Sequence, residues 1–276
     1  MSKQGFEIFE GSPESSVILH VPHSSRKIPA EVRSGIILDD ATLRTELDQV
    51  TDTLTDKLAF MAISKLVSRI SRPWLFINSL SRFVIDPERF PDDREIMNTV
   101  GMGAVYEKTA SGKRLRAENF DRTHLLNRYF YPYAQGFTEL VENILDRTGT
   151  ALIIDVHSYG AEQHPNAVNH GQRRPEMCIG TDEFHTADWL TEIFRAEFSK
   201  LGDCFENEPY EGTYVPLKYY RKDRRVRSIM METRADTYLE SDLRPNSGLD
   251  RISTALASVI NSIHDSGRLR GVAGKR

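Results

Sequence analysis

The sequence predicts a single α/β domain, with a mixed, mostly parallel central sheet flanked by helices. Three observations carry this. Short apolar runs rich in β-branched residues recur along the chain, and between them apolar residues repeat every third or fourth position. No Pro/Gly/Ser-rich linker interrupts the pattern. The length, 276 residues, is near the upper limit for one hydrophobic core and favours one domain over 1–276.

In chain order, "SVILHV" (16–21) reads as the first buried strand. Leu43, Leu47, Val50, Leu54 and Leu58 then form one helical stripe. "WLFINS" (74–79) and "RFVID" (82–86) read as strands. The polar stretch from Phe90 to Thr123, with "PDD", "GMG" and "SGK", reads as loops over one end of the sheet, where open α/β sheets form their ligand crevice. A second stripe comprises Leu126, Phe130, Tyr133, Phe137, Leu140 and Ile144; Pro132 within it demands a kink or a late start. "ALIIDVH" (151–157), "EMCIGT" (176–181) and "RSIMMET" (227–233) are further strands. Phe194 and Phe198 mark a third helix, Ile252, Leu256, Val259 and Ile263 a fourth. The basic end, 265–276, reads as a frayed tail.

Composition excludes several classes. With 39% apolar residues and a net charge of -4, the chain is globular and offers no overall positive field for nucleic acid. The basic cluster "RKDRRVR" (221–227) runs straight into a strand and reads as its solvated entry. Cys178 and Cys204 are the two cysteines and are far apart, so neither a disulfide framework nor a thiolate metal site is expected, and a reducing cytoplasm is. The N-terminus lacks the basic and apolar regions of a signal peptide, and no apolar run approaches the ~20 residues of a membrane span. The expected partner is a small molecule.

His23 in "VILHVPHSS" and His157 in "IIDVHSYG" each follow an apolar strand, where α/β sheets present functional side chains. Neutral imidazoles can ligate zinc, and strand alternation lets Asp155 share a face with His157 and orient it. A catalytic zinc needs about three protein ligands. "HExxH" is absent, so the third is sought in "LRTELDQVTDTL", which offers Glu46, Asp48 and Asp52. On a continuous helix Asp48 and Asp52 share a face opposite the leucines, in solvent; on a helix starting near Asp48, this residue points into the crevice. Glu232, at the end of the last strand, suits a general base, and Arg82 and Arg89 suit carboxylate capture. "GMGAVY" lacks the third glycine of a dinucleotide loop, "SGKR" lacks the phosphate-loop spacing, and "VHSYG" lacks the first glycine of a serine-nucleophile elbow.

Taken together, "VPHSS", "LDQVTD", "RFVIDPER", "DVHSYG", "NEPYEG" and "METRAD", over residues 21 to 236, resemble the ordered motifs of the N-formylglutamate amidohydrolase family. The resemblance implies a zinc-carboxypeptidase-like (phosphorylase/hydrolase-like) fold with one zinc ion, a water nucleophile, a glutamate base and arginines for the substrate carboxylate. On these motifs it implies His23, Asp48 and His157 as zinc ligands and Glu232 as the catalytic base. It further implies that Arg82, Arg89, Arg234 and Tyr210 bind substrate. Two positions depart from the family pattern: Glu88 replaces its usual asparagine before the second arginine, and Ser24-Ser25 replace a glycine turn. The extra charge at Glu88 would weaken capture of a glutamate carboxylate. The implied activity is hydrolysis of a small N-acyl amino acid, most simply N-formyl-L-glutamate to formate and L-glutamate. Its alternatives are a zinc peptidase or amidase acting on another N-acyl or cell-wall peptide substrate, and a non-catalytic metal-binding homologue.

Overall fold

The computed structural model describes residues 5–70, 72–168 and 170–269. Its strands are β1 (Phe6–Phe9), β2 (Val17–Val21), β3 (Trp74–Asn78), β4 (Ala151–Tyr159), β5 (Met177–Gly180), β6 (Cys204–Glu206) and β7 (Val226–Arg234). They form one sheet in the order β1-β3-β2-β4-β7-β5-β6. The centre, β3-β2-β4-β7, is parallel throughout, β5 and β6 are parallel to each other, and the β1/β3 and β5/β7 pairs are antiparallel. The expected mixed, mostly parallel sheet is therefore present.

The α-helices are α1 (Ala30–Arg33), α2 (Asp40–Val50), α3 (Thr55–Ser64), α4 (Arg122–Leu125), α5 (Tyr131–Thr148), α6 (Asp188–Phe198) and α7 (Gly248–Asp265). Strand alternation divides the apolar residues between two faces. Leu152, Ile154 and Val156 of β4 pack with Leu58 of α3, Phe194 of α6 and Leu256 of α7. Ala151 and Ile153 face the other way, against Tyr133, Phe137 and Ile144 of α5. Continuing this second face by steps of two places Asp155 and His157 over the α5 side, at the carboxyl end of the sheet. No helix among the described residues is long and apolar enough to cross a membrane.

Two local expectations are corrected and two are filled in. "RFVID" is not a strand: β3 ends at Asn78, whose side chain accepts from Leu80 N (3.0 Å) and donates to Pro22 O (2.9 Å), turning the chain out of the sheet. Phe83, Val84 and Ile85 then bury in two satellite cores. The stripe from Leu43 to Leu58 belongs to two helices, because Thr51 leaves α2 in an extended conformation and Leu54 turns left-handed at φ 65°. The segment 90–123 is anchored by buried Met97, Tyr106 and Leu115 as well as looped. The second stripe begins in a π-helical turn, Leu126–Phe130, and becomes α-helical where Pro132 is tolerated in the first turn. The edge strands β1 and β6 are too short to show a periodicity. Of the expected tail, 270–276 lie outside the described residues.

Candidate metal centre and active site

Three neighbouring parallel strands deliver the site. His23 stands two residues beyond β2, His157 lies near the end of β4, and Glu232 lies on β7 directly opposite His157. All three are buried. The loop between α2 and α3 supplies a fourth group, Asp52, whose backbone N donates to His23 O at 3.0 Å. Its carboxylate accepts from Ser158 N at 3.2 Å, so the loop is fastened to both histidine segments.

The Nδ1 atoms of His23 and His157 lie 3.2 Å apart, and Asp52 Oδ2 lies 3.1 Å from His157 Nδ1 and 3.7 Å from His23 Nδ1. Tetrahedral bonds of about 2.0–2.1 Å place ligand atoms roughly 3.3–3.4 Å apart, so this triangle has the size of one face of a zinc-type site. Two imidazole nitrogens this close to each other cannot both carry a proton comfortably, and a carboxylate beside them completes a seat for a cation. Arg82 now contributes positive charge there, with Nη2 donating to His23 Nδ1. Burial opposes the charge on Asp52, but Arg82 and the two histidines outweigh it and hold the carboxyl well below its ordinary range. Glu88 also groups with His23 and His157, and with His20 and Asp155, each set within 4.8 Å. The Asp52 set joins the two rings through their Nδ1 atoms and leaves the Nε2 edges to the carboxylates behind them.

Those carboxylates lie close behind the rings. Asp86 Oδ1 lies 3.0 Å from His23 Nε2, and Asp155 Oδ2 lies 3.3 Å from His157 Nε2. Asp155 Oδ1 also holds His20 Nδ1 at 2.7 Å, while His20 Nε2 meets Tyr133 OH at 2.6 Å. Burial opposes the imidazolium of His157, yet Glu88 and Asp155 push it well above the ordinary histidine value. Glu232 has a buried Oε2 without a hydrogen-bond partner among the described residues. Burial raises its pKa to about 8, with His157 opposing and Asp52 adding to the rise.

Asp48 is not brought to this centre. It occupies the last turn of α2, its side chain is 45% exposed, and it pairs with Arg26 at the rim of the cleft. The helix begins at Asp40 behind the Asp39 cap, so Asp48 is interior to it and faces solvent. Asp52, beyond the helix end, takes the inward position. Arg234 is likewise diverted: its guanidinium engages Glu176, Asp236 and Arg174 O, and it does not line the cleft. Arg82, Arg89 and Tyr210 do line it. Arg89 approaches Asp86 and Glu95 at 3.7 Å each, and Tyr210 OH accepts from Arg174 Nη2 at 3.3 Å. Sequence reasoning passed over His20 and Asp86; the signal for His20 was its place on the same strand face as the apolar Ile18, and for Asp86 its place between the two arginines.

The model of one family, N-formylglutamate amidohydrolase, matches residues 15–239. The chain belongs to that family. The match takes in every residue of the centre. The N-formylglutamate amidohydrolase of Ralstonia eutropha JMP134 has a similar crystal structure, with TM-score 0.76 and 20% identity over 96% of this chain and 99% of that one. Gene product Atu2144 of Agrobacterium tumefaciens is similar with TM-score 0.67 and 17% identity, over 96% of both chains. A search of curated proteins finds no significant match. Membership makes the chain an amidohydrolase by family, and both likenesses extend over nearly the whole of this chain.

Proposed function

We propose that this amidohydrolase is zinc-dependent and cleaves the amide bond of a small N-acyl amino acid, most simply N-formyl-L-glutamate, releasing formate and L-glutamate. The observation that carries the reading is the His23, Asp52 and His157 triangle with Glu232 Oε2, which has no hydrogen bond among the described residues, beside it in the cleft. A bound divalent ion would polarise the amide carbonyl and acidify a water molecule. His23 and His157 would hold it through Nδ1 and Asp52 through Oδ2. A cation nearby favours the ionised form of Glu232, which can then take the proton of the attacking water and pass it to the departing amine. Arg82 and Arg89, at the cleft wall, would orient the substrate and stabilise negative charge developing on the carbonyl oxygen; Arg82 has a buried Nε without a hydrogen bond among the described residues. Tyr210 would line the acyl-amino-acid pocket. A cytoplasmic location suits this reading.

A second reading, an amidase acting on a longer N-acyl or peptide substrate, is favoured by the size of the cleft. Its volume of about 2190 Å³ exceeds the roughly 300–1,000 Å³ of ordinary small-ligand pockets. Metal analysis of the purified chain, with formate release from N-formylglutamate and a panel of longer N-acyl amino acids, tests both. One zinc per chain and turnover abolished by chelation are expected. Glu232→Gln should keep the metal and lose about 10²–10⁴-fold in turnover. Full activity of either the chelated enzyme or this variant would sink the mechanism.

A further inference from the structure

Glu88, the charged residue where the family pattern has asparagine, stands in the turn that follows β3. That turn is held by Asp86 N donating to Ala104 O at 2.8 Å, and Glu88 N donates to Asp86 Oδ1 at 3.3 Å. One short segment thus fixes two carboxylates behind the histidines. Asp86 serves His23. The Glu88 carboxylate lies among three imidazoles: Oε2 is 3.3 Å from His157 Nε2 and 3.5 Å from His23 Nε2, and Oε1 is 3.6 Å from His20 Nδ1.

Hydrogen bonding distinguishes these contacts. Both nitrogens of His20 are taken, by Asp155 and Tyr133. His23 Nε2 is taken by Asp86. His157 Nε2 is buried and has no hydrogen bond among the described residues, and neither has Glu88 Oε1. Asp155 Oδ2, the other carboxylate oxygen near His157 Nε2, already accepts from Tyr214 N at 3.2 Å. Glu88 Oε2 and Asp155 Oδ2 thus stand equally near the uncommitted Nε2, at 3.3 Å each, and Glu88 is the carboxylate of the two whose other oxygen, Oε1, has no hydrogen bond among the described residues.

We infer that Glu88 is a positioning residue, acting through His157 to keep its Nε2 protonated and its Nδ1 bare and turned toward Asp52 and His23. The inference rests on the metal-binding reading of that triangle. An anionic acceptor behind an imidazole fixes its tautomer and raises the basicity of the opposite nitrogen, and removing such a partner weakens metal binding by about 10–100-fold. The charge that would hinder capture of a substrate carboxylate acts instead on the ligand set.

The test is made on the metal-free full-length chain, without substrate. Zn²⁺ is titrated against a chromophoric chelator, and the visible spectrum of the Co²⁺ form is recorded, for the wild type, Glu88→Ala and Glu88→Gln, with circular dichroism as the folding control. Glu88→Ala should bind Zn²⁺ about 10–100-fold more weakly, with an altered Co²⁺ spectrum, and Glu88→Gln, which keeps a neutral acceptor, should fall between it and the wild type. If Glu88→Ala does not fold, the Glu88→Gln affinity and spectrum decide. Wild-type affinity and spectrum in the variants, with only the KM for an acidic N-acyl amino acid lowered, would overturn the inference and make Glu88 a specificity residue. A wild type that binds no Zn²⁺ would overturn the metal reading itself, and this inference with it.

Discussion

At the scale of single residues, the site is defined by which ring nitrogens face one another. His23 and His157 turn Nδ1 toward each other and toward Asp52, while Asp86 and Asp155 occupy the space behind their Nε2 edges. Asp48, four residues before Asp52, is exposed and paired with Arg26. These two aspartates make a discriminating pair. Asp52→Ala should lose at least about 100-fold in zinc affinity, because it removes a proposed ligand where loss of a mere supporting partner already costs about 10–100-fold. Asp48→Ala should keep wild-type metal content and activity. Metal analysis after dialysis against a weak chelator checks both, and the reverse pattern would restore Asp48 as the ligand.

At the scale of elements, α5 supports the polar network from beneath. Phe137 of α5 is fully buried, stacks on His20 with ring centroids 4.6 Å apart, and meets Phe76 of β3 edge-on at 4.8 Å. The helix thus joins the apolar face of the sheet to the His20–Asp155 pair. Phe137→Ala should destabilise the fold by about 3–5 kcal/mol, the cost of removing a buried aromatic side chain and leaving a cavity. Urea unfolding monitored by circular dichroism measures this. A loss below about 1 kcal/mol would show that α5 packs less tightly than its burial implies.

At the scale of the whole molecule, the centre joins segments around residues 23, 52, 86, 157 and 232 that have no contact in an extended chain. A ligand that binds only their folded arrangement stabilises the fold. Free Zn²⁺ at about 100 times its dissociation constant should contribute about 2.7 kcal/mol, raising the melting temperature on the order of 5 °C over the chelator-treated protein. Thermal unfolding with and without chelator tests this. Coincident curves would mean that these segments do not form a metal site.

By itself the sequence determined the α/β class and pointed to three side chains that the fold gathers at the candidate site, His23, His157 and Glu232. Each lies at or just past the end of an apolar run, and the two-residue period of a strand tells which face its side chains share. What only the tertiary structure decided was the choice between carboxylates and the fate of the arginines. The leucine pattern passes through the break after Val50, which is set by a long-range hydrogen bond from Asp52 N to His23 O and by a left-handed Leu54. Arg234 is drawn to Glu176, which stands far from it in sequence. Periodicity records the faces of regular elements, whereas the direction of a loop carboxylate or a long guanidinium depends on partners that only folding brings within reach.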